Sequence, residues 1–105
     1  MEKNQITMLV RPENEDLEKL SDLHKAMGDH TRLKILWRLM NGEVCVGDLA
    51  KELNLSESAV SHQLRFLKDV RLIRYHKVGK NVFYTLEDEH IKWILEETYA
   101  HISER

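Results

Sequence analysis

The sequence predicts a mainly α (α+β) fold, a winged helix–turn–helix. A two-stranded β-hairpin forms the wing, and the N- and C-terminal helices serve dimerisation. Three observations support this prediction. Apolar residues recur at three- and four-residue spacing over most of the chain, the spacing changes to alternation after Val70, and helical spacing returns near the C-terminus. With 105 residues, the chain can form one modest core, so residues 1–105 are expected to be a single domain.

The first part of the chain is predicted to be an arm followed by two helices. Residues 1–12 form the arm, with Pro12 near a helix start, and NEDLEKLSDLHKAM then repeats apolar residues at helical spacing. In the next segment, Asp29 is placed to cap a second helix and Gly42 to end it. The residues of this second helix that are expected to face inward are Leu33, Leu36 and Met40.

Residues 45–69 are predicted to form the helix–turn–helix. VCVGDLAKEL forms its first helix, NLS its turn and ESAVSHQLRFLKDV its second helix. The buried residues of the second helix are expected to be Val60, Leu64 and Leu67. Residues 72–86 alternate around Gly79 and predict the wing. Thr85 and Asp88 resemble a capping box before a last helix over residues 88–104.

Charge is distributed unevenly along the chain. The net charge is −2, but residues 54–80 carry six Lys or Arg against two Asp or Glu, a local charge of +4. Residues 87–105 carry two basic against six acidic residues, a local charge of −4. Because local charge decides which surface meets a polyanion, the basic block is consistent with nucleic-acid binding. A merely solvated surface is the alternative.

The second helix of the helix–turn–helix is expected to enter the major groove of DNA. Gln can address adenine, Ser can donate or accept a hydrogen bond, and Arg suits guanine or phosphate. The wing lysines are placed to meet the DNA backbone or the minor groove. The predicted DNA-binding residues are Ser56, Ser58, Ser61, His62, Gln63, Arg65, Lys68, Lys77 and Lys80. The alternative is a helix–turn–helix fold that only packs against other proteins.

Taken together, GDHTRLKIL, EVCVGDLAKELNLSESAVSHQLRFLKDVRLIRYHKVGKNVFYTLEDEH and the last helix resemble the ArsR–SmtB family of metal-sensing transcriptional repressors. The similarity runs from about Leu23 to Glu104, and the chain looks most like the SmtB- and CzrA-like zinc sensors. The resemblance implies a homodimer that binds operator DNA without metal and releases it when loaded. The regulated genes would then serve zinc efflux or sequestration.

The resemblance implies two possible metal positions, which this sequence treats differently. One position needs a Cys-Val-Cys pattern, but here Gly47 replaces the second thiol after Cys45, so one thiolate cannot form a soft-metal site. The other position lies on the last helix, and its ligands correspond to Asp88, His90, His101 and Glu104.

Helix geometry is consistent with that ligand set. His90 and His101 lie on one stripe but about 16 Å apart along the axis, too far to share an ion within one chain. If two such helices lie antiparallel across a twofold axis, the first pair of one chain meets the second pair of the other. Two sites per dimer result, each with two imidazoles and two carboxylates, a set that suits tetrahedral Zn²⁺. Glu97 lies near the same stripe and is a competing ligand.

The sequence thus predicts a zinc-responsive repressor that acts on an inverted-repeat operator. The alternatives are a repressor that senses cobalt, nickel or oxidation of Cys45, and a zinc-binding interaction module without DNA affinity. No HExxH motif, phosphate loop or paired nucleophile and base is present, so we expect no enzyme. The sequence has no long apolar run or signal-peptide pattern, and with its one cysteine it is expected to be soluble and cytoplasmic.

Overall fold

The computed structural model describes residues 11–104 as five helices and one two-stranded antiparallel sheet. In chain order the elements are α1 (Asn14–Met27), α2 (His30–Leu39), α3 (Val46–Leu53), α4 (Glu57–Asp69), β1 (Ile73–Val78), β2 (Asn81–Leu86) and α5 (Glu89–Ser103). This order confirms the predicted winged helix–turn–helix fold. Of the predicted arm over residues 1–12, residues 1–10 lie outside the described part of the chain.

One hydrophobic core joins all of these helices to the start of the wing. The expected residues Val60, Leu64 and Leu67 of α4 are fully buried in it. The prediction for α2 was partly wrong, since Leu36 is buried but Leu33 is 38% exposed. Met40 is only partly buried, at the end of α2. The residues of α2 that enter the core beside Leu36 are Ile35 and Leu39. This helix has apolar residues on two adjacent stripes, and the packing of α1, α3 and β2 around it buries only one of them.

The turn between α3 and α4 sets the position of α4, the second helix of the helix–turn–helix and the predicted reading helix. Asn54 ends α3 in the left-handed region, with φ of 58°, where Asn is tolerated better than most residues. Ser56 begins α4, because its side chain accepts a hydrogen bond from the backbone N–H of Ala59 at 3.0 Å. At the other end of α4, Arg71 has φ of 65° in a Schellman motif, with the N–H of Leu72 donating to the carbonyl of Leu67.

The wing pairs as the alternation predicts, with Ile73 opposite Leu86 and Tyr75 opposite Tyr84. Gly79 has φ of 63° in the two-residue turn, a conformation that favours glycine. The predicted capping box was wrong. Thr85 lies in β2, and Asp88 itself caps α5 by accepting from the backbone N–H groups of His90 and Ile91. Within residues 11–104, no helix is long and apolar enough to span a membrane.

Candidate DNA-binding surface and metal-ligand pairs

The spacing of the buried residues of α4 determines which of its side chains are exposed to solvent. Because Val60, Leu64 and Leu67 point into the core, most of the residues between them face solvent. The predicted DNA-binding residues of α4 that are exposed in this way are Ser58, Ser61, His62, Arg65 and Lys68. All of them are polar, and two are cationic, so this face can offer hydrogen bonds and positive charge to a polyanion.

Two predicted DNA-binding residues have other contacts. Ser56 is exposed, but its hydroxyl oxygen already accepts the hydrogen bond that caps α4. Gln63 is half-buried, and its Oε1 atom accepts a hydrogen bond of 2.9 Å from Nε of Arg32 on α2. Sequence reasoning missed Arg32, because the periodicity of α2 identifies its core residues but not its contact with a helix 31 residues further along the chain.

The wing lies close to the C-terminal half of α4. Lys68 Nζ is 5.6 Å from the centre of the Tyr75 ring, so the cation of one element faces the aromatic ring of the other. Burial raises the pKa of the Tyr84 phenol and nearby Tyr75 raises it further, whereas the positive charge of Arg65 opposes this shift. Lys77 and Lys80 are exposed at the end of β1 and in its turn. The basic residues of α4 and the wing therefore belong to neighbouring elements.

The first metal-ligand pair consists of Asp88 and His90 at the start of α5. His90 Nδ1 lies 3.3 Å from Asp88 Oδ1, and the His90 side chain is 89% exposed. Desolvation raises the pKa of Asp88, but the His90 side chain and the backbone N–H groups of Ile91 and His90 outweigh it and lower this pKa. Two ligands of one tetrahedral zinc ion are about 3.3 Å apart, given bond lengths of about 2.0–2.2 Å. The pair thus fits two adjacent coordination positions.

The second metal-ligand pair consists of His101 in the last turn of α5 and Glu104 at its C-cap, and both residues are exposed. Helix geometry separates Asp88 from His101 by about 20 Å along the axis. No three His, Cys, Asp or Glu side chains of residues 11–104 converge on one point. One chain therefore presents two separate pairs of oxygen and nitrogen ligands, and neither pair is a complete site.

The sequence matches known regulators over most of its length. The model for bacterial regulatory proteins of the arsR family matches residues 29–75. A transcriptional repressor SmtB homolog from Synechocystis is 41% identical over 90% of this chain and 74% of its own length. A cadmium resistance regulatory protein CadC homolog from Staphylococcus aureus is 41% identical over 78% of this chain and 69% of its own length.

The chain belongs to the ArsR family. The solved structure of HlyU from Vibrio cholerae agrees with this assignment, with a TM-score of 0.77 and 34% identity over 88% of this chain and 100% of that chain. This chain is a DNA-binding transcription regulator, as are the members of its family. Enzymatic activity was not expected, and the relatives named above are regulators.

Cys45 is the residue of this ArsR-family chain at the thiol-rich metal position of the resemblance. It is the N-cap of α3 and is partly buried, with Val46 and Gly47 following it in the first turn. Cys45 is the only cysteine of the sequence, so a single chain has no second thiol for a soft-metal site. The ligand pairs of α5 are the better candidates for metal binding.

Proposed function

We propose that this chain is a zinc-responsive transcriptional repressor of the SmtB-like branch. Its metal-free homodimer binds an inverted-repeat operator and is released when Zn²⁺ binds to the ligand pairs of α5. The observation that carries this proposal is the 3.3 Å separation of His90 Nδ1 and Asp88 Oδ1 at one end of α5, with His101 and Glu104 exposed at the other end. Release would derepress genes for zinc efflux or sequestration, as the resemblance implies.

Exposed apolar residues on the first and last helices support the dimer. Leu17 and Leu20 of α1 are 38% and 45% exposed, and Ile102 of α5 is 75% exposed. A groove between α2 and the C-terminal half of α5 is lined by apolar side chains, among them Leu33 and Ile102. A second copy would bury these surfaces, and a homodimer interface is commonly more apolar than the rest of a protein surface.

A twofold dimer would also complete the metal sites. If the two α5 helices are antiparallel, the Asp88 and His90 pair of one protomer meets the His101 and Glu104 pair of its partner. Two imidazoles and two carboxylates then form a closed set of four N and O ligands, which suits Zn²⁺. When bound, the ion would supply a cross-link between the two helices. Glu97 is exposed one helical turn before His101 and is the alternative carboxylate ligand.

The α5 helices and the reading helices are coupled through the geometry of the dimer. Twofold symmetry sets the distance between the two α4 helices, which must match successive major grooves about one turn of DNA apart. Ligand pairs that are held together across the axis select one relative orientation of the protomers. If that orientation mismatches the operator, DNA and zinc each weaken the binding of the other by the same factor.

Fluorescence anisotropy with operator DNA tests the proposal. Added Zn²⁺ should release the wild type, whereas His101→Ala should remain bound at zinc concentrations that release the wild type. His24→Ala is a matched control because His24 is also an exposed helical histidine but lies on α1. Equal zinc responses of the wild type and His101→Ala would contradict the site assignment. Release by peroxide but not by zinc would contradict the proposal and favour a sensor based on Cys45.

A further inference from the structure

Arg32 belongs to α2, outside the helix–turn–helix, but its side chain ends on the reading helix. Its Nε atom donates to Oε1 of Gln63 at 2.9 Å, and its Cζ atom lies 4.0 Å from the centre of the Phe66 ring. Asp29 accepts a hydrogen bond from the Arg32 backbone N–H at 3.0 Å, which anchors the start of α2. The guanidinium is thus held by a hydrogen bond and by a cation–π contact, and Arg32 itself is half-buried.

This contact determines which end of the Gln63 amide is available for other partners. A guanidinium has only donors, so the amide must turn its oxygen towards Arg32 and its NH₂ group away from it. Bidentate recognition of adenine by Gln needs both groups, since the oxygen accepts from N6 and the nitrogen donates to N7. Arg32 occupies one of the two lone pairs of Oε1 and fixes the direction of the amide, so the end of Gln63 that lies away from Arg32 is a hydrogen-bond donor.

We propose that Arg32 is a positioning residue for DNA recognition, because it presents Gln63 as a donor. Gln63 would then select a base with an acceptor in the major groove, such as the N7 of a purine, the O6 of guanine or the O4 of thymine. This proposal rests on the proposed function only in that α4 enters the major groove.

The test begins with selection of binding sites from a random DNA duplex library by the metal-free wild type. Affinities for the selected duplex and for its single-base variants are then measured by anisotropy. Gln63→Ala should lower the preference at one base pair per half-site by about 5- to 10-fold, in the lower part of the range for a specific base contact. Arg32→Ala should lower the same preference, and the double variant should lose no more than either single variant.

Two further variants separate positioning from a structural contribution. Gln63→Glu keeps an acceptor for Arg32 but has no NH₂ group, so it should lose the base preference while it retains a wild-type melting temperature. Arg32→Lys keeps a donor and should retain part of the preference. Lys34→Ala is the matched control, since Lys34 is an exposed cation of the same helix and should leave the preference unchanged.

The possible results distinguish this inference from the proposed function. If Arg32→Ala weakens binding to all duplexes equally and reduces the salt dependence, Arg32 is a phosphate contact and the inference is wrong. If Gln63→Ala loses the base preference but Arg32→Ala keeps it, positioning by Arg32 is refuted and base reading by α4 stands. If the wild type selects no sequence at all, the proposed function fails first.

Discussion

Zinc binding should reappear when two defective variants are combined in one dimer. His90→Ala removes an imidazole from the first ligand pair, and His101→Ala removes one from the second pair. In a homodimer of either variant, both sites lack one imidazole. In a mixed dimer one site lacks both imidazoles, whereas the other site keeps all four ligands, because each site takes one pair from each chain.

The expected stoichiometry follows from the length of α5. Its geometry places His90 and His101 about 16 Å apart along the axis, whereas two ligands of one zinc ion are about 3.3 Å apart, so no single chain can complete a site. Random exchange of two dimers in equal amounts makes about half of the dimers mixed. We therefore expect about 0.5 tight sites per dimer in the mixture, about two in the wild type, and about one in a purified mixed dimer.

Competition with a chromophoric zinc chelator measures these numbers after the two variants are refolded together. A control mixture combines His90→Ala with Asp88→Ala, which are both in the first ligand pair. In that mixed dimer both sites are defective, so binding should not be restored. The shared-site geometry is refuted if the first mixture binds no more zinc than its components, or if the control mixture recovers as well.

Three further predictions concern the stability of the fold. Ser56→Ala should lower the free energy of unfolding by about 1 kcal/mol, because α4 loses its N-cap, and urea denaturation should show a much smaller effect for Ser58→Ala. Arg71→Gly should raise the free energy of unfolding by about 0.5–1 kcal/mol, since glycine adopts φ of 65° without the strain of a side chain, and a loss of stability in urea would refute this account. Because the pKa of Tyr84 is raised in the folded state, its contribution should be complete below pH 10 and decline as the pH rises through the raised pKa. Alkaline denaturation should therefore be less steep for Tyr84→Phe, and an unchanged profile would contradict this reasoning.

The sequence by itself determined the order of the elements and much of their detail. The periodicity of α4 identified Val60, Leu64 and Leu67 as its buried residues, and the structure confirms all three. Alternation around Gly79 likewise predicted the hairpin of the wing, in which the structure pairs Tyr75 with Tyr84. These features are local, because helix and strand periods fix which side chains share a face and turn residues fix where an element ends.

Only the tertiary structure decided how these faces meet. It showed that α2 buries Ile35 rather than Leu33, and that Asp88 rather than Thr85 caps α5. It also placed Arg32 against Gln63, which no local pattern indicates, because the contact depends on how α2 is rotated against α4. Spacing along one chain can define the two ligand pairs of α5, but their separation means that only the packing of two chains can join them.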